Sequence, residues 1–141
     1  MRKVEIYTDV VGGKELRAEK EFYESSKIKR ERYFLNDNWH REDGPACVEY
    51  HNNGEIWFQC YYMNGITHRE DGPAKTWYYE NSKIKCEEYW MNSELHRENG
   101  PAVINYSRDE SIAYKEYHVK GNHITDEFQI MVIDALGVEN V

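Results

Sequence analysis

Apolar and polar residues alternate in short segments along this chain, and Asn- and Gly-containing turns separate the segments. Val48 and Tyr50 alternate with Cys47 and Glu49 before Asn52-Asn53-Gly54, and an aromatic segment follows at residues 55–63. Alternation with a period of two is typical of β-strands, and Asn and Gly accept the positive φ of a tight turn. We therefore predict a β-hairpin with a two-residue loop, which would place Ile56 on the face opposite Tyr50.

The pattern recurs because one heptapeptide occurs three times, each copy starting 28 residues after the previous one. A fixed period of this length is characteristic of repeat proteins, in which each unit contacts mainly its neighbours. Tyrosines at the same phase mark four units, which we number 1 to 4 by Tyr33, Tyr61, Tyr89 and Tyr117. The heptapeptides are His40-Arg41-Glu42-Asp43-Gly44-Pro45-Ala46, His68-Arg69-Glu70-Asp71-Gly72-Pro73-Ala74 and His96-Arg97-Glu98-Asn99-Gly100-Pro101-Ala102.

These patterns predict an all-β fold, an antiparallel meander of stacked hairpins in one elongated sheet with a short C-terminal capping α-helix. A strongly coiled sheet that folds over on itself is the alternative. The chain is one domain, with degenerate strands at 1–22, about four units at 23–125 and the helix at 126–137. In the helix, Thr125 or Asp126 suits the N-cap and Gly137 the C′ position. We expect one stripe to pack on the sheet, namely Phe128, Met131, Val132, Ala135 and Leu136.

The net charge of the chain limits the classes of molecule that it is expected to bind. Lys and Arg number 18 against 26 Asp and Glu, a net charge of −8, which disfavours direct binding of nucleic acid or an anionic membrane. An acidic protein suits a basic partner surface, including the nucleic-acid groove of another protein. Aliphatic residues are few and mean hydropathy is −0.93, so we expect Tyr and Trp to supply most of the burial.

Cysteine usage and the N-terminal segment indicate a cytoplasmic location. Cys47, Cys60 and Cys86 are odd in number and form no C-x-x-C motif, which favours a reducing compartment. The first seven residues carry charges where a signal peptide needs an apolar run, and no apolar segment is long enough to span a membrane.

The repetition of the heptapeptide argues against catalysis, so we predict no enzyme activity, no cofactor and no metal. Two strands per unit would place His40, His68 and His96 about 10 Å apart, too far to share one zinc ion. Instead, we expect Asp43 and Asp71 to accept turn N–H groups and each His to pack or donate to a loop carbonyl. The residues predicted to be structural are His40, His68, His96, Gly44, Gly72, Gly100, Pro45, Pro73, Pro101, Tyr33, Tyr61, Tyr89 and Tyr117.

Two sets of side chains are candidates for binding. Arg41, Arg69 and Arg97 could hold anions between units, although a glutamate next to each weakens such a site. Aromatic residues that vary between units are candidate interface anchors, because interfaces favour Trp, Tyr and Arg. These aromatics are Trp57, Tyr62, Trp77 and Trp90.

The aromatic strands, Asn-Gly turns and His-Arg-Glu-Asp-Gly-Pro-Ala heptapeptide resemble a variant of the MORN repeat found in bacterial, phage and giant-virus proteins. The resemblance covers about residues 18–125 and implies a protein-binding β-repeat. We therefore expect a non-enzymatic interaction module. One hypothesis is a phage-encoded inhibitor of a host defence protein, which would act in the host cytoplasm. The alternatives are a nucleotide-binding or sequestering protein that uses the Arg and His ladder, and a homodimer formed through the C-terminal helix.

Overall fold

A computed structural model of the chain describes residues 2–139, with side chains to residue 137. The elements are β1 Lys3–Val11, β2 Lys14–Phe22, β3 Ile28–Leu35, β4 Asn38–Trp39, β5 Cys47–Tyr50, β6 Ile56–Cys60, β7 Tyr62–Met63, β8 Ile66–Thr67, β9 Lys75–Tyr78, β10 Ile84–Glu88, β11 Trp90–Met91, β12 Glu94–Leu95, β13 Val103–Tyr106, β14 Ile112–Val119, β15 Asn122–Ile124 and α1 Glu127–Glu139.

Ten of these strands form one open antiparallel meander, in the order β1-β2-β3-β5-β6-β9-β10-β13-β14-β15. The short strand β4 pairs with β3, and β7–β8 and β11–β12 are separate short pairs. This topology confirms the predicted fold class.

The loop between β5 and β6 contains three residues, so the two-residue loop predicted there is wrong. The N–H of His51 donates to the carbonyl of Glu55 (2.8 Å), and that of Gly54 donates to the carbonyl of His51 (2.9 Å). Gly54 has φ +94°, the left-handed residue that closes such a loop. The register shifts by one residue here, so Ile56 pairs with Tyr50 and lies on the same face, not the opposite one as predicted.

A second turn in each unit carries the chain from the strand to the heptapeptide. Asn64 and Gly65 both have positive φ and join β7 to β8, as a two-residue hairpin turn requires. The N–H of Gly65 donates to the carbonyl of Trp39 in the preceding unit (2.8 Å), so successive turns stack. The heptapeptides therefore follow one another along one side of the sheet, at the strand ends opposite those that the three-residue loops connect.

Small residues, rather than Tyr and Trp, fill the most buried positions of the sheet. Ala46, Ala74 and Ala102, the last residues of the three heptapeptides, are completely buried, and Cys60 is too. Each alanine carbonyl accepts the N–H of the tyrosine that marks its unit, at 2.8 Å. The last residue of each heptapeptide thus lies against the segment that contains the tyrosine of its unit. A side chain larger than alanine would push these two backbone segments apart. The tyrosines of units 1 to 3 are only half-buried.

The helix packs on the sheet through a different face from the one predicted. Asp126 is the N-cap, as expected, because its Oδ1 accepts the N–H of Gln129 (2.9 Å). Phe128 and Met131 of the predicted stripe are 68% and 59% exposed, whereas Ile133 is buried. Gly137 lies inside the helix and not at C′, and a Cβ there would lie 2.3 Å from the carbonyl oxygen of Asn99. That close approach and a hydrogen bond from Tyr117 determine which face turns inward.

Candidate interaction surface

Each heptapeptide arginine lies flat on the tyrosine of its own unit. The Cζ atoms of Arg41, Arg69 and Arg97 lie 4.1, 4.0 and 3.9 Å from the ring centroids of Tyr33, Tyr61 and Tyr89. This is cation–π geometry, and it covers the outer face of each ring. The glycine of the heptapeptide makes room for it, since a Cβ at Gly72 would lie 3.0 Å from the Cζ of Arg69.

The same arginines are hydrogen-bonded within their own heptapeptides. The Nε of Arg41 donates to Oδ1 of Asp43 (2.8 Å), and Arg69 donates to Asp71 at the same distance. These bonds from the guanidinium groups lower the pKa of each aspartate below its ordinary value. In the third heptapeptide Asn99 replaces the aspartate, and among the described residues Arg97 forms no ion pair with a carboxylate.

Each heptapeptide histidine links its unit to the next. The Nδ1 of His40 accepts the N–H of Asn64 (3.0 Å), and His68 accepts that of Asn92 (3.2 Å). His96 accepts the N–H of Lys120 (2.8 Å) in the same way. Of the two roles expected for these rings, packing fits the burial of His40, whereas in place of donating to a loop carbonyl the Nδ1 atoms accept a turn N–H from the following unit.

The carboxylates of the heptapeptides point outward. The side chains of Glu42, Glu70 and Glu98 are 83%, 82% and 73% exposed, and those of Asp43 and Asp71 are 84% exposed. By contrast, the side chains of Arg41 and Arg69 are only 28% and 24% exposed. We call this row of outward carboxylates the acidic ladder. Its steps are about 10 Å apart, because each unit contributes two strands at about 4.8 Å each.

Grooves lie between the steps of the ladder. The groove between the first two heptapeptides has a volume of about 530 Å³, and its lining includes Met63 and the arginine-covered ring of Tyr61. The groove before the first heptapeptide is larger, about 800 Å³, and more apolar, with Leu16 and Leu35 in its lining. Unit 4 has no heptapeptide arginine, and the hydroxyl of its Tyr117 donates to Asp134 of the helix at 2.9 Å.

Three of the four candidate aromatic anchors lie on the face of the sheet opposite the one that carries the stacked arginines and tyrosines. The predicted binding residues therefore do not form one site. Trp77 packs on Phe58 with centroids 5.0 Å apart, and Tyr62 lies 5.5 Å from Trp39. The indole N–H of Trp90 donates to Glu88 (2.7 Å). The fourth candidate, Trp57, follows the bulge at the three-residue loop, and its ring lies 5.8 Å from that of Phe58. All four side chains are half-buried, which fits a packing role at least as well as binding.

A further group of side chains on that opposite face was missed by the sequence reasoning. Glu116, His118 and His123 place their ligand-type atoms within 4.8 Å of one another. The signal was present in the sequence, because His118 stands at the phase where units 1 to 3 carry Phe34, Tyr62 and Trp90.

The cysteines offer no reactive thiolate. Burial raises the pKa of the Cys60 thiol to about 11 and that of the half-buried Cys86 thiol to about 11. Both therefore remain protonated at neutral pH, and Cys47 has its pKa raised in the same direction.

Searches against protein families, curated proteins and solved structures find no match to this chain. The helix α1, the only one in residues 2–139, has 13 residues, whereas crossing a membrane takes about 20 apolar residues.

Proposed function

We propose that this protein is a non-enzymatic interaction module that binds a protein partner with a basic surface through the acidic ladder. The observation that carries the proposal is the orientation of the heptapeptide charges. The arginines are turned inward onto tyrosine rings, while the glutamates and aspartates point into solvent. An incoming molecule therefore meets carboxylates first, and complementary positive charge favours its association.

The spacing of the ladder suggests the form of the partner segment. A chain in the polyproline II conformation has three residues per turn and rises about 3.1 Å per residue, so every third side chain lies on the same side about 9 Å further along, close to the step of the ladder. Lys or Arg at every third position would pair with Glu42, Glu70 and Glu98 in turn. The aliphatic stems of those side chains would lie in the grooves, against the methionine side chains and the arginine-covered tyrosines that line them. A partner that normally binds nucleic acid through such a segment would be blocked by this module.

The same geometry disfavours the alternative of a nucleotide held by the arginine ladder. Arg41 and Arg69 each already donate hydrogen bonds to an aspartate and to a proline carbonyl. A phosphate would therefore have to compete with these hydrogen bonds for the guanidinium group. It would also lie beside the exposed carboxylate of Glu42 or Glu70, which repels it. Arg97, which lacks an aspartate, is the position where a small anion would meet the least competition.

The proposal is tested with two triple variants of equal charge. Glu42→Gln/Glu70→Gln/Glu98→Gln removes the ladder, and Glu24→Gln/Glu80→Gln/Glu127→Gln removes three exposed carboxylates elsewhere. The probe is a peptide of about twelve residues that favours the polyproline II conformation, with Lys at every third position. Its comparison peptide has the same composition with the lysines in one block.

We expect the spaced peptide to bind more tightly than the blocked peptide and to weaken as salt is raised. The ladder variant should lose roughly 3-fold or more in affinity, because three exposed ion pairs are removed and each contributes about 0.2–1 kcal/mol. The control variant should change little. Equal losses in both variants would reduce the effect to net charge and defeat the proposal. Nucleotide binding that Arg97→Ala abolishes would replace it with the small-ligand function.

A further inference from the structure

Unit 4 carries a cluster of metal-ligand side chains on the face of the sheet opposite the helix. His118 and His123 are directly opposite each other in the β14–β15 hairpin, and Glu116 precedes His118 by two residues on the same face. The two imidazole rings are stacked, with centroids 4.8 Å apart and planes 16° from parallel. The short turn at Lys120-Gly121 holds the two strands, and therefore the two rings, in this register.

The contacts of these side chains leave them available to an ion. The Nε2 of His118 lies 2.9 Å from Oε2 of Glu116, and its Nδ1 is buried without a hydrogen-bond partner among residues 2–137. The hydroxyl of Tyr114 donates to the other oxygen of Glu116 and so orients that carboxylate. Orientation of a ligand by an outer hydrogen bond is a regular feature of metal sites. His123 is exposed and can adjust toward an ion.

The other units of the same chain show what these positions hold when only packing is required. Unit 1 has Phe34 and Trp39 there, with ring centroids at the same 4.8 Å separation. Unit 2 has Tyr62 and Thr67, and unit 3 has Trp90 and Leu95. Unit 4 therefore keeps a pair of flat rings but replaces both members with histidine, next to a carboxylate. Packing alone does not call for two imidazoles, whereas metal binding does.

We propose that Glu116, His118 and His123 bind one divalent transition-metal ion of the zinc type. Two imidazoles and a carboxylate form a ligand set used for Zn²⁺, which leaves a fourth position for water or a partner's side chain. Ligand atoms about 2.0–2.2 Å from one ion lie no more than about 4.4 Å apart, and those of this group lie within 4.8 Å of one another, so a small movement of the exposed His123 brings all three onto one ion. The ion would join β14 to β15 at the end of the sheet.

The test is a titration of the full chain, without a histidine tag, with Zn²⁺. Binding is followed by calorimetry and by the imidazole resonances of the six histidines. The matched variant is His118→Phe/His123→Trp, which restores the ring pair of unit 1 and preserves the packing while removing two ligands. His123→Gln provides a second variant at an exposed position where folding is not at risk.

We expect one Zn²⁺ per chain, with only the His118 and His123 resonances displaced and a higher melting temperature in the presence of zinc. The double variant should lose the one-to-one transition, and His123→Gln should weaken it by roughly 10-fold or more. Equal zinc binding by the wild type and both variants would overturn the proposal. Displacement of the resonances of the heptapeptide histidines instead would also overturn it, because it would place the ion beside pairs such as His68 and Glu70, which lie 3.6 Å apart. The absence of zinc binding by the wild type would overturn it as well.

Discussion

His40 and His68 make the same hydrogen bond in consecutive units but differ in burial. The side chain of His40 is 7% exposed and that of His68 is 21% exposed. Replacing His40 with Phe keeps a flat ring but leaves the N–H of Asn64 without its acceptor. This hydrogen bond is partly buried although Asn64 itself is exposed, so we expect His40→Phe to lower the free energy of unfolding by about 0.5–1.5 kcal/mol, the net contribution of one hydrogen bond, in denaturant titrations.

His68→Phe is the matched control, because the hydrogen bond between His68 and Asn92 is exposed and water replaces the ring more readily there. Its cost should be smaller, below about 0.5 kcal/mol. No cost in either variant would mean that the histidines do not stabilise the stacking of units through this bond, and equal costs would mean that burial does not set its strength.

The role of these histidines shows how far single residues can be predicted from the sequence. Repetition predicted that His40 stabilises the repeat, and its hydrogen bond with Asn64 of the next unit fits that prediction. Its partner could not be predicted, because the N–H of Asn64 lies 24 residues later and reaches the ring only through stacking of the turns. The inward orientation of Arg41 depends likewise on how the heptapeptide crosses Tyr33. The sequence therefore shows which residues recur in every unit, whereas the direction in which their side chains point could not be predicted from it.

At the scale of elements, Gly137 fixes how the helix lies on the third heptapeptide. A Gly→Ala change inside an ordinary helix adds about 1 kcal/mol of stability through helix propensity. Here the new Cβ would lie 2.3 Å from the backbone oxygen of Asn99, so the helix would have to move away. We expect Gly137→Ala to lower the melting temperature despite the gain in propensity.

The exposed position Ala135 supplies the comparison for that change. Ala135→Gly alters propensity alone and should cost about 1 kcal/mol in the same thermal unfolding experiment. A stabilised Gly137→Ala variant would show that the helix does not dock at Asn99.

The helix also shows why its existence could be predicted from the sequence but its docked face could not. Residues 128–136 are apolar nearly all round, so two stripes are available and periodicity does not choose between them. The choice depends on Asp134, which meets the hydroxyl of Tyr117, and on Gly137, which permits close approach to Asn99. Both partners lie in other units. The three-residue loops were missed for a related reason, since Ser26, Ser82 and Glu110 adopt positive φ without being glycine.

At the scale of the whole molecule, the chain behaves as a row of units in which each contacts its neighbours. Hydrogen bonds such as that from Tyr23 to the carbonyl of Tyr50, 27 residues away, join adjacent units only. In such an array a local defect spreads through interfaces rather than through one common core. Ile133→Asp would place a charge against unit 4, where the wild-type side chain is buried, and should detach the helix.

We expect that variant to lose amide hydrogen-exchange protection in β14 and β15, while β3, β5 and β6 keep theirs. The control is Met131→Asp, which adds the same charge to the exposed side of the same helix and should leave exchange unchanged. Equal loss of protection in all strands would mean that the sheet unfolds as a single cooperative unit. A graded loss, greatest at β15 and falling toward β3, would instead measure how strongly neighbouring units are coupled, because each interface transmits only part of the destabilisation.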